Sequence, residues 1–246
     1  PHYNSLDQLR DALFSINNQT IKPHKIFVYD DFSTSVIVSD LKNLFKTFRL
    51  EIELIALKKN IGQSNIRIKS LKHILDNFKD ELMIHYLDAD DMIHHLFYEY
   101  SLRLYSNKNT VISYLYVPFS NSNEISLTRD IEFNSKLKDS FFLKQGSPSR
   151  NIIYFSDSKS FCIPKNLKYR VRYEDWIFMS IFKKNNFEFK KSSMRLTFYR
   201  RILKYKSSTS NVVVSLSELN KISKLIGNLC PDFEKKAKIL LIFQEI

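Results

Sequence analysis

Short β-rich runs alternate with helical patterns over the first two-thirds of this chain. The stretch between successive runs is long enough for a crossover helix. Strands spaced in this way pair in parallel and carry helices on both faces, so the expected class is α/β, with a mostly parallel, Rossmann-like central sheet. Apolar residues at helical spacing predict a helix over Leu6–Ile16, opened by Ser5 and Gln8 as a capping box. A strand at Lys25–Tyr29 and a helix reaching about Phe48 follow. Next come a strand at Glu51–Leu57, a helix over Ser64–Phe78, a strand at Leu82–Leu87, a helix to about Tyr105 and a strand at Val111–Val117. Residues 119–150 are polar and weakly periodic, and read as an insertion or mobile loop. A strand over Asn151–Phe155 and a helix over Glu174–Phe182 resume the pattern. The tail from Leu216 to Ile246 reads as two amphipathic helices broken at Pro231.

Composition removes several alternatives. Only three residues of 246 are glycine. Walker and dinucleotide phosphate loops need two or three glycines within a few residues, so both are nearly excluded. Cys162 and Cys230 are far apart with no C-x-x-C spacing, so no zinc or redox motif is expected. They read as two buried thiols in a reducing compartment. No apolar run approaches the length of a membrane span, and no signal-like start is present. Lys and Arg number 38 against 26 Asp and Glu, a formal charge of +12. Such a balance asks for an anionic partner or surface: nucleic acid, an anionic leaflet or a phosphate-bearing small molecule.

In a parallel sheet with helices on both faces, ligands bind outside the carboxyl ends of the strands. Asp30 and Asp31 end one strand, Asn60 to Gly62 follow another, and Asp88, Asp90 and Asp91 end a third. Three carboxylates within four residues repel one another, and a divalent cation relieves that repulsion. Hard oxygen ligands suit Mg²⁺ or Mn²⁺ bridging to phosphates. The plainer reading is an Asp-rich turn with a helix cap. A buried carboxylate at Asp30 or Asp31 can accept from a nucleobase imide, or can cap the next helix. Glu174 and Asp175 open a helix, where a carboxylate can serve as general base or pair with the helix dipole. His94 and His95 read as solvated or capping histidines.

The order of these pieces resembles the family 2 glycosyltransferases of GT-A fold. Pro1-His-Tyr3-Asn4 matches their P-x-Y-N, and Ser15, Gln19 and Thr20 match S-x-x-x-Q-T. Asp30-Asp31-x-Ser33 matches D-D-x-S. Asn60, Gly62, Ser64 and Arg67 match the N-x-G-x-S-x-A-R-N segment. Asp88-Ala-Asp90-Asp91 matches the DxD motif, and Glu174-Asp175-Trp176 the late ED motif. Tyr199-Arg200-Arg201 with Ser207 to Ser210 resembles the Y-R-x-H…S segment. The resemblance covers about residues 1–210.

The resemblance implies an inverting, metal-dependent transfer of a sugar from a nucleotide-sugar, a UDP-sugar first, to a hydroxyl of a glycan or lipid-linked acceptor in bacterial surface polysaccharide synthesis. Pro1, Tyr3 and Asp31, with Asp30 beside them, would frame the base. Arg67 would lie near the nucleotide or diphosphate. Asp88 would contact ribose or metal, Asp90 would be the principal ligand of Mn²⁺ or Mg²⁺, and Asp91 would lie nearby. Asp175 would be the catalytic base, and Glu174 would help place the acceptor. The chain departs from the family pattern at Ile66, Ile68 and Ile202, the last in a position often held by His; Arg200, Arg201 or Ser207 to Ser210 would then serve the leaving group. No Q-x-x-R-W motif follows the ED motif, which argues against a processive polymerase. The family's first strand precedes P-x-Y-N, so residues upstream of Pro1 and an unfilled slot in the sheet are expected. The expected organisation is a catalytic domain over 1–213 and a helical extension over 214–246. That extension packs on the domain or on a second subunit, or lies on an anionic membrane. Cytoplasmic placement, peripheral on the inner membrane face, follows, and nucleic acid is not expected as a partner. The competing reading is an inactive GT-A scaffold that binds nucleic acid or another polyanion.

Overall fold

The computed structural model describes residues 1–79, 81–105, 107–119, 148–164, 174–200 and 216–231. The elements are α1 (Leu6–Asn17), β1 (Ile26–Asp30), α2 (Val38–Phe45), β2 (Ile52–Ala56), α3 (Gln63–Asn77) and β3 (Leu82–His85). These are followed by β4 (Met92–Ile93), α4 (Phe97–Arg103), β5 (Thr110–Phe119), β6 (Asn151–Phe155), α5 (Glu174–Lys184), β7 (Glu188–Arg200) and α6 (Leu216–Leu229). The class is the expected α/β.

Strand direction is more mixed than the alternation implies. β1 and β2 form a parallel pair with Val28 opposite Leu54. The other strands lie in the order β3-β6-β5-β7-β4. Only β5 and β7 run parallel there; the pairs β3–β6, β5–β6 and β4–β7 are antiparallel. Each parallel pair has a helix in its connection, α2 or α5, as a parallel crossover demands. β1 and β3 are not paired with each other. A cavity of about 510 Å³ lies between them, walled by Leu13, Val28, Ile84 and Tyr86 among others, with Pro1 and Asp88 also on its lining.

The core follows from period-two alternation. Every residue of β6 is buried. Ile153 and Phe155 join one apolar cluster with α3, α5 and α6, while Ile152 and Tyr154 join the other with α1, α2 and α4. Val111 of β5 faces the first cluster, and Ile112 and Tyr114 the second. A strand that feeds two cores carries no polar face, and that is why this run reads as continuously apolar. α6 packs Leu219, Ile222, Ile226 and Leu229 into the cluster that holds Trp176 to Phe182 of α5. No helix among the described residues is long and apolar enough to cross a membrane.

Three local expectations are corrected. The Ser5 side chain makes no capping hydrogen bond, because its backbone (φ −126°, ψ 59°) is not the extended form that aims a hydroxyl at the first helical amides. The Ser5 N–H instead donates to His2 Nε2 at 3.3 Å. The segment after Asp91 begins with β4, whose two residues pair with Phe198 and Thr197 of β7. A strand so short leaves no periodic signature. β7 itself runs 13 residues, with register shifts against β5 that break its alternation. Finally, Cys230 is buried but Cys162 is exposed. Its neighbours Phe161 and Ile163 pack against the core, and in an extended segment that turns the residue between them outward. The second C-terminal helix and most of the 119–150 insertion lie outside the described residues.

Candidate active site

Pro1 to Ser35 build the first wall. His2 lies beside β1, its N–H donating to Tyr29 O at 2.8 Å and its carbonyl accepting from the Asp31 N–H at 2.9 Å. The His2 Nδ1 is 2.9 Å from Asp30 Oδ1. Asp30 also accepts the Ser33 N–H at 3.1 Å and the Ser33 hydroxyl. Asp30 is thereby spent on holding the P-x-Y-N stretch to the strand end. Asp31 Oδ1 accepts the Ile61 N–H at 2.7 Å, and Oδ2 accepts the Gly62 N–H at 2.9 Å. Both acids are buried. Tyr3 and Phe32 flank them with about half of their surfaces exposed, Phe32 at φ 64°. A non-glycine residue held at positive φ costs energy that the surrounding loop must repay.

The second wall comes from α3. Its buried face carries Ser64, Arg67, Ser70 and Leu71, so one helical side presents polar and apolar groups inward together. Ser64 and Arg67 are one turn apart and therefore neighbours in space. The Ser64 hydroxyl donates to Glu174 Oε2. Arg67 Nη1 donates to Asp175 Oδ1 and lies 3.8 Å from Glu174 Oε1. Nη2 donates to both oxygens of Asp88, at 2.9 and 3.3 Å. Burial alone would lower the Arg67 pKa, but Asp175, Asp88 and Glu174 more than reverse this, and the guanidinium stays charged.

The third wall is the acid loop after β3. Asp88 Oδ1 also accepts Gln63 Nε2 at 2.6 Å, and its N–H donates to Ser149 Oγ at 3.0 Å. Burial pushes the Asp88 carboxyl up, yet Arg67 holds it below its ordinary value. Asp91 is buried, accepts the Arg200 N–H at 3.1 Å, and is pushed well up by burial, Asp88 and Asp90. Asp90 is pushed up by burial and by Asp88. Among the described residues no side chain donates to its carboxylate. Arg200 lies at the end of β7. It pairs with Asp11 at 2.6 Å, donates to the Asp90 carbonyl at 3.0 Å and stacks over Phe119 at 4.6 Å. Arg201, Ile202 and Ser207 to Ser210 lie outside the described residues.

Glu174 and Asp175 begin α5, where a helix dipole favours carboxylates. Burial raises the Asp175 carboxyl to about 6, Asp88 and Glu174 adding to the rise and Arg67 opposing it. A general base works best when poised near the operating pH, and this carboxylate is closer to it than an ordinary aspartate.

The structure therefore brings Arg67, Asp88, Glu174 and Asp175 into one bonded cluster. It places Asp30 and Asp31 in a separate bonded group, and leaves the Asp90 carboxylate without a side-chain donor among the described residues. Ser64, Gln63 and Ser149 complete the cluster; Gln63 and Ser149 had no place in the sequence reading, and Ser64 stood there only as a motif match with no role assigned. For Ser64 the signal was its three-residue spacing from Arg67. His85 underlies the loop, with Nε2 3.0 Å from Ser149 O and Nδ1 3.2 Å from Tyr98 Oη; burial lowers its pKa to about 4, so it stays neutral. The S-x-x-x-Q-T piece proves to be a staple. Gln19 Nε2 donates to the His94 carbonyl at 2.8 Å, its Oε1 accepts the Tyr98 N–H at 3.2 Å, and Ser15 Oγ accepts the Ile93 N–H at 3.3 Å. The His94 and His95 ring centroids are 4.2 Å apart with the planes tilted by 39°, and His94 Nδ1 accepts the Leu96 N–H, a local cap.

The family model for glycosyl transferase family 2 matches residues 1–185, and the chain belongs to that family. Its fold is similar to Staphylococcus aureus TarS 1-349 in complex with UDP-GlcNAc, with a TM-score of 0.65 and 20% identity, over 93% of this chain and 64% of that one. It is also similar to the mannosyltransferase PcManGT from Pyrobaculum calidifontis in complex with GDP-Man and Mn²⁺, with a TM-score of 0.56 and 12% identity, over 96% of this chain and 66% of that one. This chain spans less than two-thirds of the TarS structure's length. No curated protein matches the chain.

Proposed function

We propose that this protein is an inverting glycosyltransferase that moves a sugar from a nucleotide-sugar, a UDP-sugar first, to a hydroxyl of a glycan or lipid-linked acceptor in bacterial surface polysaccharide synthesis. One observation carries the reading: the Arg67 guanidinium binds Asp88 of the acid loop and Asp175 of α5 together, with Asp90 in the same acid loop. The family match and the nucleotide-sugars in the two solved relatives support it.

In this reading Asp175 takes the proton from the acceptor hydroxyl as its oxygen attacks C1. The nucleoside diphosphate departs from the opposite face, so one displacement inverts the anomeric centre. Glu174, held by Ser64, orients the acceptor. Tyr3 and Phe32 offer exposed rings to the base, while Pro1, Asp30 and Asp31 shape its floor. Asp91 acts by anchoring the acid loop to β7.

The donor set fits Mn²⁺ or Mg²⁺. Asp90 offers a hard oxygen that no side chain among the described residues donates to; burial and Asp88 oppose its ionisation, and a cation would relieve both. Among the described residues no three His, Cys, Asp or Glu side chains converge to cage an ion. Phosphate oxygens and water would complete the sphere, as is usual for Mg²⁺. Asp90 would hold the ion, with Asp88 beside it, and the ion would neutralise charge on the leaving diphosphate. A polyanion-binding scaffold has no use for three carboxylates gathered round one buried arginine, so the site favours the enzyme reading.

The test is a panel of UDP-, GDP- and CDP-sugars, with and without Mn²⁺, followed by release or transfer of sugar and by thermal shift. Turnover of one donor that Asp90→Ala abolishes is the expected result. No binding of any nucleotide would reject the proposal.

A further inference from the structure

Arg67 is 1% exposed. A buried guanidinium is tolerated only when its donors are met, because an unpaired buried charge is expensive. Here the two terminal nitrogens serve three carboxylates, while Nε is buried without a hydrogen-bond partner among the described residues. No exposed edge remains to meet a diphosphate. The two main partners come from distant elements: Asp88 lies 21 residues away and Asp175 lies 108 away. Their relative placement is not set by any shared strand or helix. The planar fork of Arg67 spans them, and it is rigid where a lysine ammonium is not.

We infer that Arg67 is a positioning residue, a buried clamp that holds the proposed base Asp175 at a fixed distance and orientation from Asp88 of the acid loop, and not a ligand of the donor phosphates. The inference rests on the function proposed above. It gives the α3 arginine a task separate from donor affinity. Among the described residues, the acceptor side (Glu174, Asp175) and the donor side (Asp88, Asp90) are joined through this guanidinium, with the Ser64 and Gln63 contacts beside it. A small misplacement of a reacting group costs about a hundredfold in rate, so the clamp acts on the chemical step.

The experiment uses the full chain with its active donor. Arg67→Ala is assayed with and without added guanidinium ion, and Arg67→Lys serves as a second variant that keeps the charge but loses the fork. The expected result for both is a fall in kcat of about a hundredfold, with UDP affinity by calorimetry changed less than about threefold. Guanidinium restores much of the kcat of Arg67→Ala, and methylammonium does not. A loss of UDP affinity with kcat spared would make Arg67 a phosphate ligand and overturn the inference. Unchanged kcat, or a loss that follows the fall in Tm and resists guanidinium, overturns it too. If Arg67→Ala does not fold, the kcat and affinity of Arg67→Lys decide by the same criteria. A folded wild type that turns over no donor rejects the functional reading, and this inference with it; an active wild type with indifferent Arg67 variants rejects the clamp alone.

Discussion

Asp31 Oδ2, at the end of β1, accepts the N–H of Gly62 at 2.9 Å, and Gly62 sits at φ 83°, ψ 154° at the start of α3. The carboxylate occupies the place of a helix cap, but it reaches across from a neighbouring strand. The backbone of Gly62 lies in a region open essentially to glycine alone. Gly62→Ala is therefore expected to cost ~1–3 kcal/mol of stability, read as a shifted midpoint in urea with unchanged slope. Asp31→Ala should cost a similar ~1–3 kcal/mol, because it strands the Ile61 and Gly62 amides. Equal midpoints for variant and wild type would show that the loop reorganises freely.

Asp90 is the carboxylate of the acid loop left without a side-chain donor among the described residues, whereas Asp91 is bonded to β7. The two should behave differently. Asp90→Ala is expected to abolish measurable transfer while leaving Tm within a few degrees or raising it, since a strained buried charge is removed. Asp91→Ala should lower Tm, because it frees the Arg200 amide. Thermal melts beside a donor assay separate the two.

Asp175 titrates at about 6. On the proposed role, kcat/KM should rise about tenfold per pH unit below that value and level off above it, and Asp175→Asn should abolish the activity. Stability moves the other way. Between the ordinary 3.8 and about 6, the folded protein keeps a proton on Asp175 that the unfolded chain has released. This group's contribution is thus present at low pH and lost as pH rises through that window. Urea midpoints of wild type and Asp175→Asn across pH 4 to 7 test the sign.

Phe182 of α5 is fully buried among Phe155, Phe161, Phe178 and Phe187, with ring centroids 5.3 to 6.1 Å away. Phe182→Ala should cost ~3–5 kcal/mol, through lost burial and the cavity left behind. The measurement is denaturant unfolding. A cost under ~1 kcal/mol would mean that the aromatic cluster collapses to fill the gap.

Much of the architecture was readable from local pattern. Strand–helix alternation, the all-apolar run of β6 and the placing of acids after β1 and β3 depend on a residue's own neighbours, and period and chain order carry that information. The division of labour among the acids was not readable. Asp30, Asp31, Asp88, Asp90 and Asp91 look equivalent as strand-end carboxylates. Yet one pair knots loops, one acid pairs with Arg67, one anchors β7 and one stays open. β4 escaped because its two residues pair with Phe198 and Thr197 of β7, about 100 residues away, and with nothing nearby in the chain.

The sequence by itself determined the class of fold, the strand-end location of the carboxylates and the membership of a family whose motifs recur in order. Only the tertiary structure decided that Arg67 points inward and joins Asp88 to Asp175. Hydrophobic period and turn chemistry act over a few residues. The partner of a buried charge is chosen by whichever carboxylate the completed packing brings within a few ångströms, and no local signal encodes that.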